Sequence, residues 1–204
     1  MPSPADTSPF DRRPLLVAIA GPNGAGKTTF YRYHLADLRL QFVNADVLAQ
    51  ELDVTAYEAA SIAANLRASL LREGESFIFE TVFSDPAGDK LAFLVEATAL
   101  GYTVVLCFIG LEDVALSETR VAMRVLKGGH DVPTEKLETR FPRTLANLRR
   151  AIRELPHVLL FDNSDLARPF RAVATFDHGT PVDVKEPVPA WAQPFFRSDS
   201  EPIR

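Results

Sequence analysis

Six consecutive apolar positions, Leu15 to Ala20, open the patterned part of the chain and stop at Gly21. A run that is apolar at every position predicts a strand covered on both faces. Comparable runs over 76–81 and 102–109, the latter the most apolar of all, predict two more buried strands, and 157–163 predicts a late one. A shorter stretch, 40–44, predicts a strand ending at Ala45 and Asp46, and 171–176 reads as one further strand. Between these runs the period becomes helical. One helix is expected to run to about Leu38. Thr55 to Glu58 forms a capping box, followed by Ala59, Ile62, Leu66 and Leu70 at helical spacing until Gly74. That helix reads as packing, with no chemistry on it. A further helix is expected over 85–100, closed by Gly101. Leu137, Phe141, Leu145, Leu148 and Ile152 then make an apolar face, with Arg140, Arg143, Asn147 and Arg150 along another. Pro142 either kinks this segment or begins a second helix. Strand alternating with helix argues for an α/β fold, a parallel sheet wrapped on both faces.

The two ends break the pattern. Residues 1–13 are rich in Pro, Ser and Asp and read as a loose tail. From His178 onward, five prolines with Trp191, Phe195 and Phe196 predict a partly ordered tail over 178–204, with the alternative of a segment that wraps the surface or docks a partner, leaving one domain over 14–177. A chain of 204 residues has room for one such domain with a real core. The net charge of −5 offers no basic surplus for nucleic acid or an anionic membrane surface. Cys107 is the single cysteine and lies in an apolar run, which predicts a buried structural thiol and excludes a disulfide within the chain. With no apolar span or leader pattern, a cytoplasmic protein is expected.

The break after the first strand carries the chemistry. Gly21-Pro22-Asn23-Gly24-Ala25-Gly26-Lys27-Thr28-Thr29 matches the phosphate-binding pattern G-x-x-x-x-G-K-[ST], between a buried strand and an opening helix. Glycines let backbone N–H groups approach a phosphate, and the helix N-terminus adds its positive dipole end. Lys27 is expected to reach the β- and γ-phosphates of ATP, and the Thr28 hydroxyl to hold Mg²⁺.

Phosphoryl transfer further asks for a base, an acceptor site and cations around the moving group. Asp46, at the end of the second strand, is the candidate base; it could instead act on Mg²⁺ through water, or cap the following helix. Glu80, Thr81 and Ser84 form a carboxylate-and-hydroxyl cluster for a polar acceptor, with a rival reading of Glu80 as a Mg²⁺-linked carboxylate. Arg120, Arg124 and Lys127 share a helix face before Gly128-Gly129-His130, and Arg140 and Arg143 follow; cations around a glycine hinge suit a mobile lid. Motifs of guanine-specific GTPases and of transporter ATPases are missing. The residue-level alternative to an enzyme is a nucleotide-dependent binding module that closes on a partner without transferring phosphate.

The ordered set, Gly21 to Thr29, Val43-Asn44-Ala45-Asp46, Phe79 to Ser84, and Arg120 through Gly129-His130 to Arg143, resembles the zeta toxin family of phosphate-loop kinases over roughly residues 14–165. The resemblance implies a parallel sheet in the order 2-3-1-4-5 with a helical lid. It implies transfer of the γ-phosphate of ATP, with Mg²⁺, to a hydroxyl of a small acceptor such as UDP-N-acetylglucosamine, and restraint by an antitoxin protein. Carried over by position, it makes Lys27 and Thr28 the triphosphate and metal residues and Asp46 the base. Glu80 and Thr81 become the acceptor pair, and Arg124 and Arg140 the lid arginines. The acceptor loop departs from the family pattern, reading Glu80-Thr81-Val82 where the classical toxins place a glycine between the two polar residues.

Overall fold

The computed structural model describes residues 8–126, 128–129 and 131–196. The expectations placed on Lys127 and His130, and on the outermost residues of both tails, lie outside the described residues.

Seven strands form one sheet: β1 (Leu15–Ala20), β2 (Gln41–Val43), β3 (Phe77–Thr81), β4 (Thr103–Gly110), β5 (His157–Asp162), β6 (Arg171–Asp177) and β7 (Thr180–Val184), in the order β2-β3-β1-β4-β5-β6-β7. The first five are parallel, in the 2-3-1-4-5 order expected, and β6 and β7 add an antiparallel extension. The reversal follows from connection length. Residues 163–170 are too few for a helical crossover, so the chain can only turn back. At the next turn His178 and Gly179 take φ values of +46° and +79°, as a two-residue hairpin with the right-handed twist of its strands requires.

The helices are α1 (Lys27–Phe30), α2 (Ala45–Leu52), α3 (Ala56–Glu73), α4 (Asp89–Ala99), α5 (Val114–Leu126) and α6 (Thr134–Glu154). The helix expected to reach Leu38 is unevenly wound: α1 is one α-turn, continued by a π-turn over Tyr31–Leu35 and a tighter turn over Ala36–Leu38. The capping box at Thr55 and Glu58 is present, and Gly74 ends α3 at φ +73°. The helix expected from residue 85 begins only at Asp89, because the preceding segment is held as a loop by α6. Pro142 lies inside the single helix α6, neither dividing it nor starting another.

Alternate residues of each strand feed two cores. Leu16, Ala18, Phe77 and Phe79 face α3, α4 and α6, while Leu15, Val17, Ile19 and Ile78 face Phe30 and Leu35 of the α1 segment. Cys107 is buried in the second core, where burial pushes its thiol up to about 12. Among the described residues no helix is long and apolar enough to cross a membrane.

The stretch from His178 to Phe196 is packed against the domain. β7 pairs with β6, and beyond it Trp191 is buried against Phe108 and donates its indole N–H to Asp162 Oδ1 at 3.1 Å. Gly110 makes the room: a Cβ there would lie 2.2 Å from the Trp191 ring. Asp162 also accepts from Ser164 Oγ at 2.6 Å and pairs with Arg171 at 3.4 Å, so one buried carboxylate ties three segments together. At the other end Phe10 packs on the second core.

Candidate active site

The phosphate loop leaves β1 at the carboxyl edge of the sheet, where ligands of open α/β sheets bind. Its first glycine cannot be replaced within this path: Gly21 has φ +148°, and a Cβ would lie 2.2 Å from the Ile109 carbonyl oxygen. The loop is braced from two sides. Ser117 of α5 donates to the Asn23 carbonyl at 2.7 Å, and Asn163, just beyond β5, donates to the Ala25 carbonyl at 2.9 Å. Neither brace was expected from the sequence. Asn163 carried a usable signal, as a polar residue at the carboxyl end of a strand beside the loop.

Lys27 is buried and donates to the Pro22 carbonyl at 3.0 Å, with Glu80 Oε1 3.9 Å away. Burial pushes its ammonium below the usual lysine range; Glu80 and Asp46 pull it back up, and Arg124 opposes them. Thr28 Oγ1 donates to Glu80 Oε2 at 2.7 Å, and Asn44 Nδ2 reaches the same oxygen at 2.9 Å. The loop threonine and the end of β2 are thus locked to one carboxylate of β3. Asn44, also unforeseen, accepts from the backbone N–H groups of Asp46 and Val47 and so caps α2. That relieves Asp46 of the capping role considered for it and leaves its carboxylate exposed on the first turn of α2.

These groups open onto a cavity of about 490 Å³. Of the residues expected at the site, Asn23, Gly24, Lys27, Asp46, Glu80, Thr81, Ser84, Arg124, Arg140 and Arg143 all line it. Thr28 joins them through Glu80, while Thr29 is exposed on α1. Arg120 does not: its guanidinium donates to the Ser164 carbonyl at 3.2 Å, and its Cβ stands 3.0 Å from where a Gly24 Cβ would lie. From its position on α5 the Arg120 guanidinium thus turns toward the β5 end.

The cavity also recruits residues the sequence reading passed over. Ala60, Ala63, Ala64 and Arg67 of α3 form part of its wall, so α3 is not a packing helix alone. Arg67 was detectable as a charge on the buried stripe of Ala59, Ala63 and Leu70. Its guanidinium lies over the Phe79 ring, 5.1 Å from the centroid, and burial pushes it below the usual arginine range. Lys90 of α4 and Asp85 complete this wall.

The loop between β3 and α4 is shaped by α6. Asn147 Nδ2 donates to the carbonyls of Phe83 and Asp85, both at 3.0 Å, and Thr144 Oγ1 to the Val82 carbonyl at 3.0 Å. Phe83 sits at φ +63° with its N–H on Thr81 Oγ1 at 3.1 Å. Asn147, expected on the polar arginine face of α6, is instead buried beneath the loop.

Comparison with known proteins agrees with this picture. The chain is 28% identical to cytidylate kinase of Chlorobaculum tepidum over 120 residues, 58% of this chain and 43% of that one, and so spans less than half of that relative's length. Among solved structures, the AvrRxo1-ORF1:-ORF2 complex with ATP superposes with a TM-score of 0.69 at 18% identity, over 86% of this chain and 61% of that one. The PezAT toxin-antitoxin system of Streptococcus pneumoniae gives 0.59 at 16%, over 81% and 72%. A putative kinase from Chloroflexus aurantiacus gives 0.53 at 19%, over 76% and 87%. At these identities the likeness is one of fold. The family model described as an AAA domain, AAA_33, matches residues 16–148, well over half of the chain, and the chain belongs to that family.

Proposed function

We propose that the chain is an ATP- and Mg²⁺-dependent small-molecule kinase that transfers the γ-phosphate to a hydroxyl of a polar acceptor. The observation that carries this is the convergence of Lys27, Thr28, Glu80 and Asp46 at one end of a cavity whose remaining wall is cationic. A hydrolase needs room only for water, whereas the cavity here measures about 490 Å³.

The phosphate loop and Lys27 would bind and orient the triphosphate. Thr28 and Glu80 set a hydroxyl and a carboxylate oxygen side by side, a hard-oxygen pair that fits Mg²⁺, which takes one or two protein ligands together with phosphate oxygens. Bound there, the ion would supply charge neutralisation on the phosphates. Asp46 takes the proton of the acceptor hydroxyl as its oxygen forms the new bond to the γ-phosphorus and the bond to the bridging oxygen of ADP breaks. Arg124 and Arg140 face the same space and would spread the transferring charge. Within this proposal Glu80 serves the metal rather than the acceptor. A nucleotide sugar remains the acceptor the resemblance suggests, and an antitoxin the partner.

The test is a transfer assay with ATP and Mg²⁺ over nucleotide sugars, nucleosides and dinucleotides, with Asp46→Asn alongside. Product formation that falls roughly 10²–10⁴-fold in the variant, with ATP affinity retained, is the expected result. ATP binding without transfer to any acceptor, or an undiminished Asp46→Asn rate, overturns the proposal.

A further inference from the structure

The cavity is asymmetric in charge. Its lining contributes six cations against three carboxylates, and Glu80 is already taken up by Thr28, Asn44 and Lys27. Two of the cations, Arg67 of α3 and Lys90 of α4, come from elements other than the phosphate loop and its helix. Arg67 stands over Phe79, on the sheet face of α3, α4 and α6, opposite the face that packs on the α1 segment behind the phosphate loop. A nucleotide held by the loop and α1 is therefore an unsuitable partner for it.

Arg67 is 9% exposed, and among the described residues its guanidinium meets no carboxylate and no hydrogen-bond acceptor, only the Phe79 ring. A guanidinium removed from water without acceptors for its N–H groups is costly, and those groups border the cavity. Lys90 borders the same wall, and none of the described residues pairs with its ammonium. The same wall holds one open acceptor, Asp85 Oδ1, buried and without a hydrogen-bond partner, while its other oxygen accepts from the Lys90 backbone N–H at 3.2 Å.

We infer that Arg67 and Lys90 form an anchoring subsite for a phosphate group that the acceptor itself carries, with Asp85 accepting from a neighbouring hydroxyl. This rests on the kinase reading above and narrows its acceptor to phosphate-bearing hydroxyl compounds. A phosphate suits the pair better than a carboxylate does. One guanidinium saturates a planar carboxylate edge to edge, whereas the tetrahedral group leaves an oxygen for a second cation arriving from another helix.

The experiment pairs binding with turnover. Wild type, Arg67→Met and Lys90→Met are saturated with a non-hydrolysable ATP analogue and Mg²⁺, which occupies the phosphate loop, and titrated with inorganic phosphate. Phosphate binding weakened at least tenfold in Arg67→Met and several-fold in Lys90→Met, with analogue affinity unchanged, is expected. Lys90 is partly exposed, so its variant tests the subsite even if Arg67→Met unfolds. In turnover, nucleosides and sugars are compared with their phosphates. The phosphorylated members should be preferred, and both variants should erase the preference through KM while kcat is kept. Equal use of phosphorylated and bare acceptors, a preference for carboxylates, or phosphate affinity unaltered in both variants overturns the subsite and leaves the kinase reading standing. Absence of transfer to every acceptor defeats the kinase reading instead.

Discussion

The two ends of the cavity are built in opposite ways. The phosphate end comes from nine consecutive residues and a few side chains that satisfy one another: Lys27 on the Pro22 carbonyl and beside Glu80, Thr28 and Asn44 on the same carboxylate. The acceptor wall is gathered from four separated places, α3, the β3–α4 loop, α4 and α6, and its buried polar groups are left with open valence at Arg67 and Asp85. A site that must hold any ATP can be completed in advance by its own hydrogen bonds. A site that selects one acceptor keeps groups in reserve, and their cost is recovered only when the right ligand arrives.

The change that should separate the ends most strongly is Lys27→Met. It removes the one buried cation of the phosphate end and is expected to lower turnover roughly 10²–10³-fold, the cost of losing a preorganised charge at the reacting phosphate. Acceptor-side phosphate binding, measured by titration, should be unmoved. Should Lys27→Met instead weaken both ends equally, the division of labour is wrong and the cavity acts as one electrostatic unit.

This division also explains what could be read from the sequence. The phosphate loop was legible because its demands are local: glycines where a Cβ would strike Ile109, a lysine and a threonine at fixed offsets. The central strands β1 and β4 were legible because strands buried on both faces are apolar almost throughout. The wall assigned to the acceptor was not, because Asn147 looks like an ordinary polar residue until a distant loop is laid against it. The packing of the C-terminal segment was hidden for the same reason. Its prolines are local and visible, whereas the reason it packs lies in Gly110, eighty-one positions before Trp191, and in Asp162.

Asn147→Ala probes the acceptor wall without touching a charge. It strips the donor from the Phe83 and Asp85 carbonyls and should cost about 1–3 kcal/mol of stability, read as a lower Tm. Because the loop it holds carries Thr81, Ser84 and Asp85, KM for the acceptor should rise while the KM for ATP stays near its original value. A rise confined to the ATP side would mean that the loop serves the nucleotide, and the two ends would have to be redrawn.

The smallest effect should belong to neither end. His157 starts β5, away from the cavity, with Nδ1 3.9 Å from Asp177 Oδ1, an oxygen that His178 approaches at 2.6 Å. Burial pushes its imidazole below the ordinary value of 6.5; Asp177 works against this, and the charges of His178 and Arg12 add to it. The folded protein therefore releases its proton more readily than the unfolded chain does. Through the window from 6.5 down to the folded value, the unfolded state holds more protons, so stability rises with pH and is lost as the medium is acidified. A chemical-denaturation series across that window should show a shallow slope that His157→Gln removes. No histidine lines the cavity among the described residues, so the same variant should leave the pH profile of turnover in place. If His157→Gln flattens both curves, the hairpin edge and the active site are coupled, and the independence of the phosphate and acceptor ends from the rest of the sheet fails with it.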